Sequence, residues 1–273
     1  MTPAARERWG IRGPVLAVSA AAWALLAAAP PGWTLPESCA AAWRPPSSDD
    51  VILALSLNPP GSLAAAWILM LAAMMGPILV APLGHLRGRS LASRRGRSLA
   101  LFLAGYAAAW SVAGIGLAAL ALTLRLSAPS VAPVPALLAI LVWQASPAKQ
   151  TCLNRCHDRP ALSAFGVAAD RDAARFGLVH GVWCVGSCWP LMLAMLLPSD
   201  GHLVAMIALA GWLLAERVAP AVPPGWRWHP WRGGPVLRIA AGFAAAAWSR
   251  LATRVASPPS LVAAPIPPPG NAP

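Results

Sequence analysis

Long apolar stretches separated by short polar segments dominate the chain. The apolar stretches cover residues 14–29, 62–83, 98–124, 136–146, 176–197 and 203–215. Because an α-helix rises 1.5 Å per residue, about 20 apolar residues cross the ~30 Å hydrocarbon core of a bilayer. The pattern predicts an all-α, polytopic transmembrane helical bundle with about six spans. The shortest stretch, 136–146, crosses the bilayer only if its helix begins inside the Pro-rich turn before it.

Three regions follow from this pattern. Residues 1–61 are predicted to hold a first helix and a Pro-rich outer loop, and residues 62–217 the transmembrane bundle. Residues 218–273 are predicted to form a Trp- and Arg-rich interfacial segment and a disordered Pro-rich tail, in which 235–256 is either interfacial or a weak seventh span. The first apolar stretch also fits a signal peptide, because it follows a basic segment and ends in small residues. We favour a first transmembrane helix, since the stretch is long for a signal peptide.

Composition and charge support a multi-pass protein of the cell membrane, with the lipid bilayer as its surroundings. Hydrophobic residues make up 58% of the chain and charged residues 11%, whereas soluble domains carry about 25% charged residues. The net charge of +12 is spread over several loops without a single basic face, which disfavours nucleic-acid binding. Five arginines lie in the 85–97 loop. The positive-inside rule therefore predicts that both chain termini are cytoplasmic.

The cysteines are the first candidates for chemistry. Four of the five form two C-x-x-x-C pairs, Cys152/Cys156 and Cys184/Cys188, and the fifth, Cys39, receives no role. An odd number of cysteines in a membrane protein does not indicate a disulfide scaffold. The two pairs are instead candidates for metal binding or thiol chemistry.

The second pair belongs to a stripe of soft ligands. His180, Cys184, Cys188 and Met192 follow one another at intervals of four residues, which places them along one face of a helix. Thiolate, imidazole and thioether ligands suit Cu(I), with Zn(II) as the alternative. Pro190 in the same helix frees a backbone carbonyl and favours a kink near Cys188.

The first pair is predicted to lie in a polar loop, 147–175. His157 follows Cys156 and adds a candidate nitrogen ligand, while Lys149 and Arg155 are cations that favour thiolates nearby. If the next helix starts at Phe176, Cys184 lies ~10–12 Å below its start. The two pairs meet only if this loop folds back into the bundle.

Methionines add further soft sulfur. Met70 and Met74 are four residues apart in the second apolar stretch, and with Met192 they are candidate thioether ligands for Cu(I). Packing in an apolar core is the alternative explanation, and for methionine it is the commoner one.

Four ordered motifs resemble the DUF2182 family of predicted metal-binding integral membrane proteins, sometimes labelled copper chaperones. The motifs are Trp67-x-x-Met70-x-x-Ala73-Met74-Met75-x-Pro77, Gly105-Tyr106-x-x-x-Trp110, Gln144-x-x-Pro147-x-Lys149-x-x-Cys152-Leu153-x-x-Cys156 and Gly181-x-x-Cys184-x-Gly186-x-Cys188-Trp189-x-Leu191-Met192. The resemblance implies metal binding by the four paired cysteines. The chain departs from the family pattern at Ser187, where a cysteine is common, and at His157, where an arginine is common.

Three functions fit these features. The leading hypothesis is a protein that holds or hands over Cu(I), passing it to a membrane or soluble partner, with His157 and His180 supporting the four cysteines. The alternatives are a membrane thiol–disulfide oxidoreductase that uses the two pairs and a structural or assembly subunit of a membrane complex. The chain contains no P-loop, G-x-S-x-G or H-E-x-x-H motif, which favours a non-enzymatic role.

Overall fold

A computed structural model describes residues 3–28, 48–127, 133–196 and 202–227, and every regular element in these ranges is helical. The helices are α1 (Pro3–Ala28), α2 (Ser48–Leu57), α3 (Pro60–Arg89), a 3₁₀ turn (Ala92–Arg94), α4 (Arg95–Ser127), α5 (Pro133–Ala145), α6 (Pro147–Arg155), α7 (Gly166–Met195) and α8 (His202–Val218). The predicted all-α class is therefore confirmed for the described ranges. The predictions for the 30–47 loop, Cys39, the 235–256 stretch and the C-terminal tail lie outside them.

Four helices are long and apolar enough to cross a membrane. They are Gly10–Ala28, Pro60–Arg89, Ala92–Leu124 and Gly166–Met195. Helices α5 and α8 hold 13 and 17 residues, so the predicted total of six spans stays a prediction. As that prediction requires, α5 begins at Pro133, inside the Pro-rich turn. Side chains such as Val112 and Ile115 of α4 are 74% and 73% exposed, as expected for a surface that faces lipid.

Two predicted loops contain helix. Residues 48–57 form α2, whose first turn holds Asp49; a negative charge there complements the helix dipole. Helix α7 begins at Gly166, ten residues before the predicted start at Phe176. Its first turns are polar but rich in helix-forming residues, and Asp170 forms ion pairs with Arg94 (2.8 Å) and Arg97 (2.7 Å). The charged residues of this segment were the reason for predicting a loop there.

Helices α1 and α3 pack against each other in antiparallel orientation. Near the start of α1, the carbonyl oxygen of Gly10 accepts a hydrogen bond from the Arg87 side chain at the end of α3 (3.3 Å). Farther along α1, Ser19 Oγ donates to the carbonyl of Ala73 (2.7 Å). That carbonyl is the one freed by Pro77, which has no N–H to donate four residues later. A side chain from α1 therefore repairs the break in α3.

Helices α4 and α7 pack in parallel orientation and form the most extensive helix pair of the described chain. Arg94, just before α4, contacts Asp170 in the first turns of α7. Farther along both helices, Tyr106 contacts Cys184. The two helices therefore run in the same direction, and the chain between them has to return to its starting side.

The charged ends of three helices gather at one end of the bundle. Helix α3 ends with Arg87 and Arg89, and α4 begins with Arg95 and Arg97 after a short turn. Ion pairs with Asp170 join the start of α7 to this group. The apolar core beyond this end contains aromatic residues, six methionines and three of the paired cysteines.

Candidate metal centre

Glycines bring α7 into backbone contact with α4. A methyl group added at Gly177 would overlap the main chain of Phe102, and one added at Gly105 would overlap the main chain of α7 around Ala174 and Leu178. A third glycine, Gly181, lies against Ala109. Small residues allow such close approach in membrane bundles. This contact fixes which face of α7 points into the core.

The predicted soft-ligand stripe lies on that buried face. His180, Cys184, Cys188 and Met192 are each 3% exposed or less. Cys184 Sγ lies 3.4 Å from the hydroxyl of Tyr106, the only tyrosine of the chain. The thiol of Cys188 donates to the carbonyl of Cys184 (3.1 Å). The stripe therefore faces other parts of the protein rather than lipid.

Pro190 interrupts the hydrogen bonding of α7 beside these thiols. Having no N–H, it leaves the carbonyl of Gly186 without its helical donor. The indole N–H of Trp143, in α5, donates to this carbonyl (2.9 Å). The Trp143 ring also packs edge-on against Trp189, with 5.4 Å between ring centroids. The carbonyl that Pro190 was predicted to free is thus paired with a side chain of α5, while α7 continues as one helix to Met195.

The first cysteine pair lies on α6, which folds back against α7. Ser146 caps this helix by accepting a hydrogen bond from the backbone N–H of Lys149 (3.2 Å), and Pro147 occupies the first turn, as is common at helix starts. Cys152 Sγ would lie 2.7 Å from a Cβ added at Gly186. The inward fold needed to bring the two pairs together is therefore observed.

Cys156, at the C-terminal end of α6, is 2% exposed. Burial raises the pKa of its thiol to about 12, because a thiolate is poorly solvated in an apolar interior. Arg217 opposes this rise, and Cys184 and Cys152 add to it. Sulfur atoms from both pairs therefore lie close enough to influence one another.

Arg217, at the end of α8, is the cation of this cluster. Its Nη2 lies 3.3 Å from Cys184 Sγ, and it acts on Cys156 as well. Its Nε and Nη1 have no hydrogen-bond partner. A narrow cleft beside it is lined by residues of α3, α6, α7 and α8: Met75, Ile78, Leu153, Cys184, Ser187, Cys188, Leu213, Glu216 and Arg217.

Lys149 has a partner other than the thiols. Its ammonium group contacts the side chains of Gln144 and Glu216, and Glu216 also accepts from the indole of Trp212 (2.7 Å). Burial lowers the pKa of Lys149, and Glu216 opposes that shift. Lys149 and Glu216 therefore form a buried ion pair that joins α6 to α8.

The two candidate histidines differ in their surroundings. Both ring nitrogens of His157 lie 3.0 Å from backbone carbonyls, those of Leu153 and Arg217, so neither is free for a metal in this arrangement. His180 is surrounded by the rings of Phe102, Tyr106 and Phe176. Its Nε2 has no hydrogen-bond partner and is the nitrogen available to a ligand.

The methionines proposed as ligands are all buried. Met70, Met74 and Met192 are 4%, 1% and 0% exposed and belong to the core. Met75 lines the cleft with Cys184 and Cys188. Across the ranges that the structure covers, no three His, Cys, Asp or Glu side chains converge to hold a metal ion together.

Two residues of this cluster, Arg217 and Trp143, had no predicted role. Met75 belongs to a family motif, and packing in the apolar core was the favoured explanation for it. The family motif was the signal available for Met75. For Arg217 and Trp143 there was no local signal, because their positions depend on how α5 and α8 pack against α7.

Comparison with known proteins agrees with the motifs. A family model, PpoB2, described as a copper chaperone, matches residues 64–247. The match starts close to residue 62, where the predicted transmembrane bundle begins, and continues beyond residue 217, where that bundle is predicted to end. No curated protein and no solved structure matches the chain significantly. The chain belongs to the PpoB2 copper chaperone family, which is the DUF2182 family that its motifs resemble.

Proposed function

We propose that this protein binds Cu(I) through its paired cysteines, Cys152/Cys156 and Cys184/Cys188, and passes the ion to a receiving protein. The observation that supports this most is the convergence of both pairs on one guanidinium group. Arg217 contacts Cys184 of α7 and acts on Cys156 at the end of α6. Two cysteine pairs that merely filled the core would not require a shared cation.

The charge of the cluster favours Cu(I) over Zn(II). A Cu(I) ion held by two thiolates carries a net negative charge, and one arginine makes the group neutral. Neutrality matters because an unpaired charge is costly in an apolar interior. Zn(II) instead requires about four protein ligands in a structural site. Pairs of sulfur atoms beside a single arginine suit the monovalent ion better.

Thioethers supply further soft ligands around the thiols. Met75 lines the cleft with Cys184 and Cys188, and Met192 lies one helical turn beyond Cys188. Met70 and Met74 precede Met75 on α3. Neutral sulfur ligands bind Cu(I) without adding charge, so they allow the ion to exchange between neighbouring sites.

The parallel packing of α4 and α7 supports a six-span topology with both termini in the cytoplasm. If both helices cross the membrane in the same direction, the chain between them crosses back, and α5 is the helix placed to do so. By the same argument α8 returns the chain after α7. This makes the protein a multi-pass membrane protein; reporter fusions at the ends of α4 and α7 check the orientation.

Cu(I) titration of reduced, detergent-purified protein tests the proposed function. Wild type is expected to retain copper, whereas the variant with serine at Cys152, Cys156, Cys184 and Cys188 loses it because all four thiolates are gone. Cys39→Ser is the matched control, since Cys39 belongs to neither pair. Arg217→Gln is expected to weaken binding about tenfold or more by removing the counter-charge, while Arg217→Lys retains most of it.

Two results would contradict the proposal in different ways. Wild-type copper retention by the four-serine variant would leave the cysteines with a structural role in a larger complex. Thiol trapping that finds the two pairs cycling between reduced and oxidised forms in cells would instead indicate a thiol–disulfide oxidoreductase.

A further inference from the structure

A second cavity, distinct from the thiol cleft, opens near the start of α7. Its volume is about 320 Å³, and it lies between α7 and the segment that follows α6. That volume falls within the range of small-molecule sites and far exceeds what a bare ion needs. Its lining includes Arg155, Asp158, Asp172, Arg175, His180 and Trp183.

The inner wall of the cavity carries an unsatisfied polar group. His180 is 3% exposed, and its Nε2 has no hydrogen-bond partner. Buried polar groups are almost always paired, so an exception that lines a cavity indicates a ligand. In the tautomer with the proton on Nδ1, Nε2 offers a lone pair to a soft metal.

The mouth of the cavity carries charges of both signs. Arg155 and Asp158 are exposed and lie 3.4 Å apart, and Arg175 is exposed on α7. Asp172 accepts a hydrogen bond from the backbone N–H of Ser163 (2.9 Å). This arrangement does not select a bare cation. It suits a small molecule that carries carboxylate and ammonium groups together.

The cavity leads toward the thiol cluster. His180 and Cys184 lie one helical turn apart on α7, about 6 Å along the helix axis, and Tyr106 contacts both side chains. A metal ion held at His180 therefore lies next to the first thiol of the buried pair.

We propose that this cavity binds a small acidic thiol that carries Cu(I) and transfers the ion by way of His180 to Cys184. The inference rests on the proposed function and adds the form in which the metal arrives. In the transfer, the bond between copper and the carrier sulfur breaks and a bond between copper and Cys184 forms. The Cys184 proton passes to the carrier thiolate, and copper keeps its oxidation state.

Loading kinetics of the purified full-length chain test this inference. Cu(I) is supplied either as its glutathione complex or in acetonitrile without a thiol carrier. Arg175→Glu is expected to slow loading from the glutathione complex about tenfold, because it repels an anionic carrier, and to leave loading from acetonitrile unchanged. Arg171→Glu is the matched control, since Arg171 is exposed on the same helix and does not line the cavity.

His180→Leu is expected to slow loading from both sources, and a retained cooperative thermal unfolding transition shows that the variant is folded. Loading of this folded variant at the wild-type rate from both sources would overturn the passage of the ion by way of His180. Equal rates for Arg175→Glu and Arg171→Glu with the glutathione complex would overturn the inference alone. Absence of copper uptake from either source at equilibrium would overturn the proposed function and this inference with it.

Discussion

Pro77 of α3 and Pro190 of α7 each leave one carbonyl without its helical donor, and the two carbonyls are paired by side chains of different helices. In α3, Ser19 of α1 donates to the carbonyl of Ala73 (2.7 Å). In α7, Trp143 of α5 donates to the carbonyl of Gly186 (2.9 Å). Beside Gly186 lies the sulfur of Cys152, whereas the nearest atoms to a methyl group added at Gly76, close to Ala73, belong to Ser19 and Val15 of α1.

The comparison shows that the same kind of backbone defect can have two different structural roles. In α3, the unpaired carbonyl gives α1 a hydrogen-bond acceptor, and the bond joins α1 to the bundle. In α7 it brings α5 and α6 against the helix that carries Cys184 and Cys188, so the same defect helps to assemble the candidate metal centre. Which helix is joined at the proline depends on the side chain that donates to the free carbonyl, not on the proline itself.

The largest effect is expected from removing the repairing donors. Trp143→Phe and Ser19→Ala each leave a buried carbonyl unpaired, which is expected to lower the free energy of unfolding by about 1–3 kcal/mol. Only Trp143→Phe is expected to weaken Cu(I) binding as well, because α5 then loosens beside Cys152. Thermal unfolding and copper titration of both variants check this. Equal copper affinities would remove the distinction between the two breaks.

A smaller effect is expected from adding a methyl group at each break. At Gly186 it would lie 2.7 Å from Cys152 Sγ, and at Gly76 it would lie 3.1 Å from Ser19 Cβ. Gly186→Ala is expected to displace the sulfur and lower Cu(I) affinity several-fold, while Gly76→Ala leaves affinity unchanged. Both stability changes should stay within about 1 kcal/mol, because better helix propensity offsets crowding. If Gly76→Ala weakened copper binding equally, displacement of the Cys152 sulfur would not explain the loss of affinity in Gly186→Ala.

The smallest effect is expected from restoring the missing donor. In the Trp143→Phe background, Pro190→Ala supplies an N–H that can bond to the carbonyl of Gly186. It is therefore expected to stabilise this background by about 1 kcal/mol more than it stabilises wild type. A double-mutant cycle of unfolding free energies measures the coupling. Additive effects would mean that Trp143 does not replace the helical donor.

The sequence predicted the parts of the centre that depend on one helix. The spacing of His180, Cys184, Cys188 and Met192 placed them on one face, because helical geometry is local. Pro190 likewise predicted the free carbonyl. The apolar stretches predicted the helices, although α7 starts ten residues before its predicted start. The additional turns contain charged residues that favour helix, and one of them, Asp170, pairs with Arg94 and Arg97.

The parts that join separate helices were beyond such prediction. Arg217 lies 33 positions from Cys184, and Trp143 lies 43 positions from Gly186. Neither position carries a periodic signal, because the contact arises only when the helices have packed. The partner of Lys149 was missed for the same reason: the lysine was predicted to favour the nearby thiolates, but it forms an ion pair with Glu216 instead.

The parallel pairing of α4 and α7 has a consequence for synthesis. Gly105 and its contact Leu178 are separated by 73 positions. At a translation rate of 5–20 residues per second, α4 waits roughly 4–15 s in the membrane before its partner is complete. During that interval the face of α4 that carries Gly105 lacks its partner helix and can pack against other helices. The thiols of α7 are positioned only when this wait ends, so the candidate metal centre of a newly made chain is assembled late.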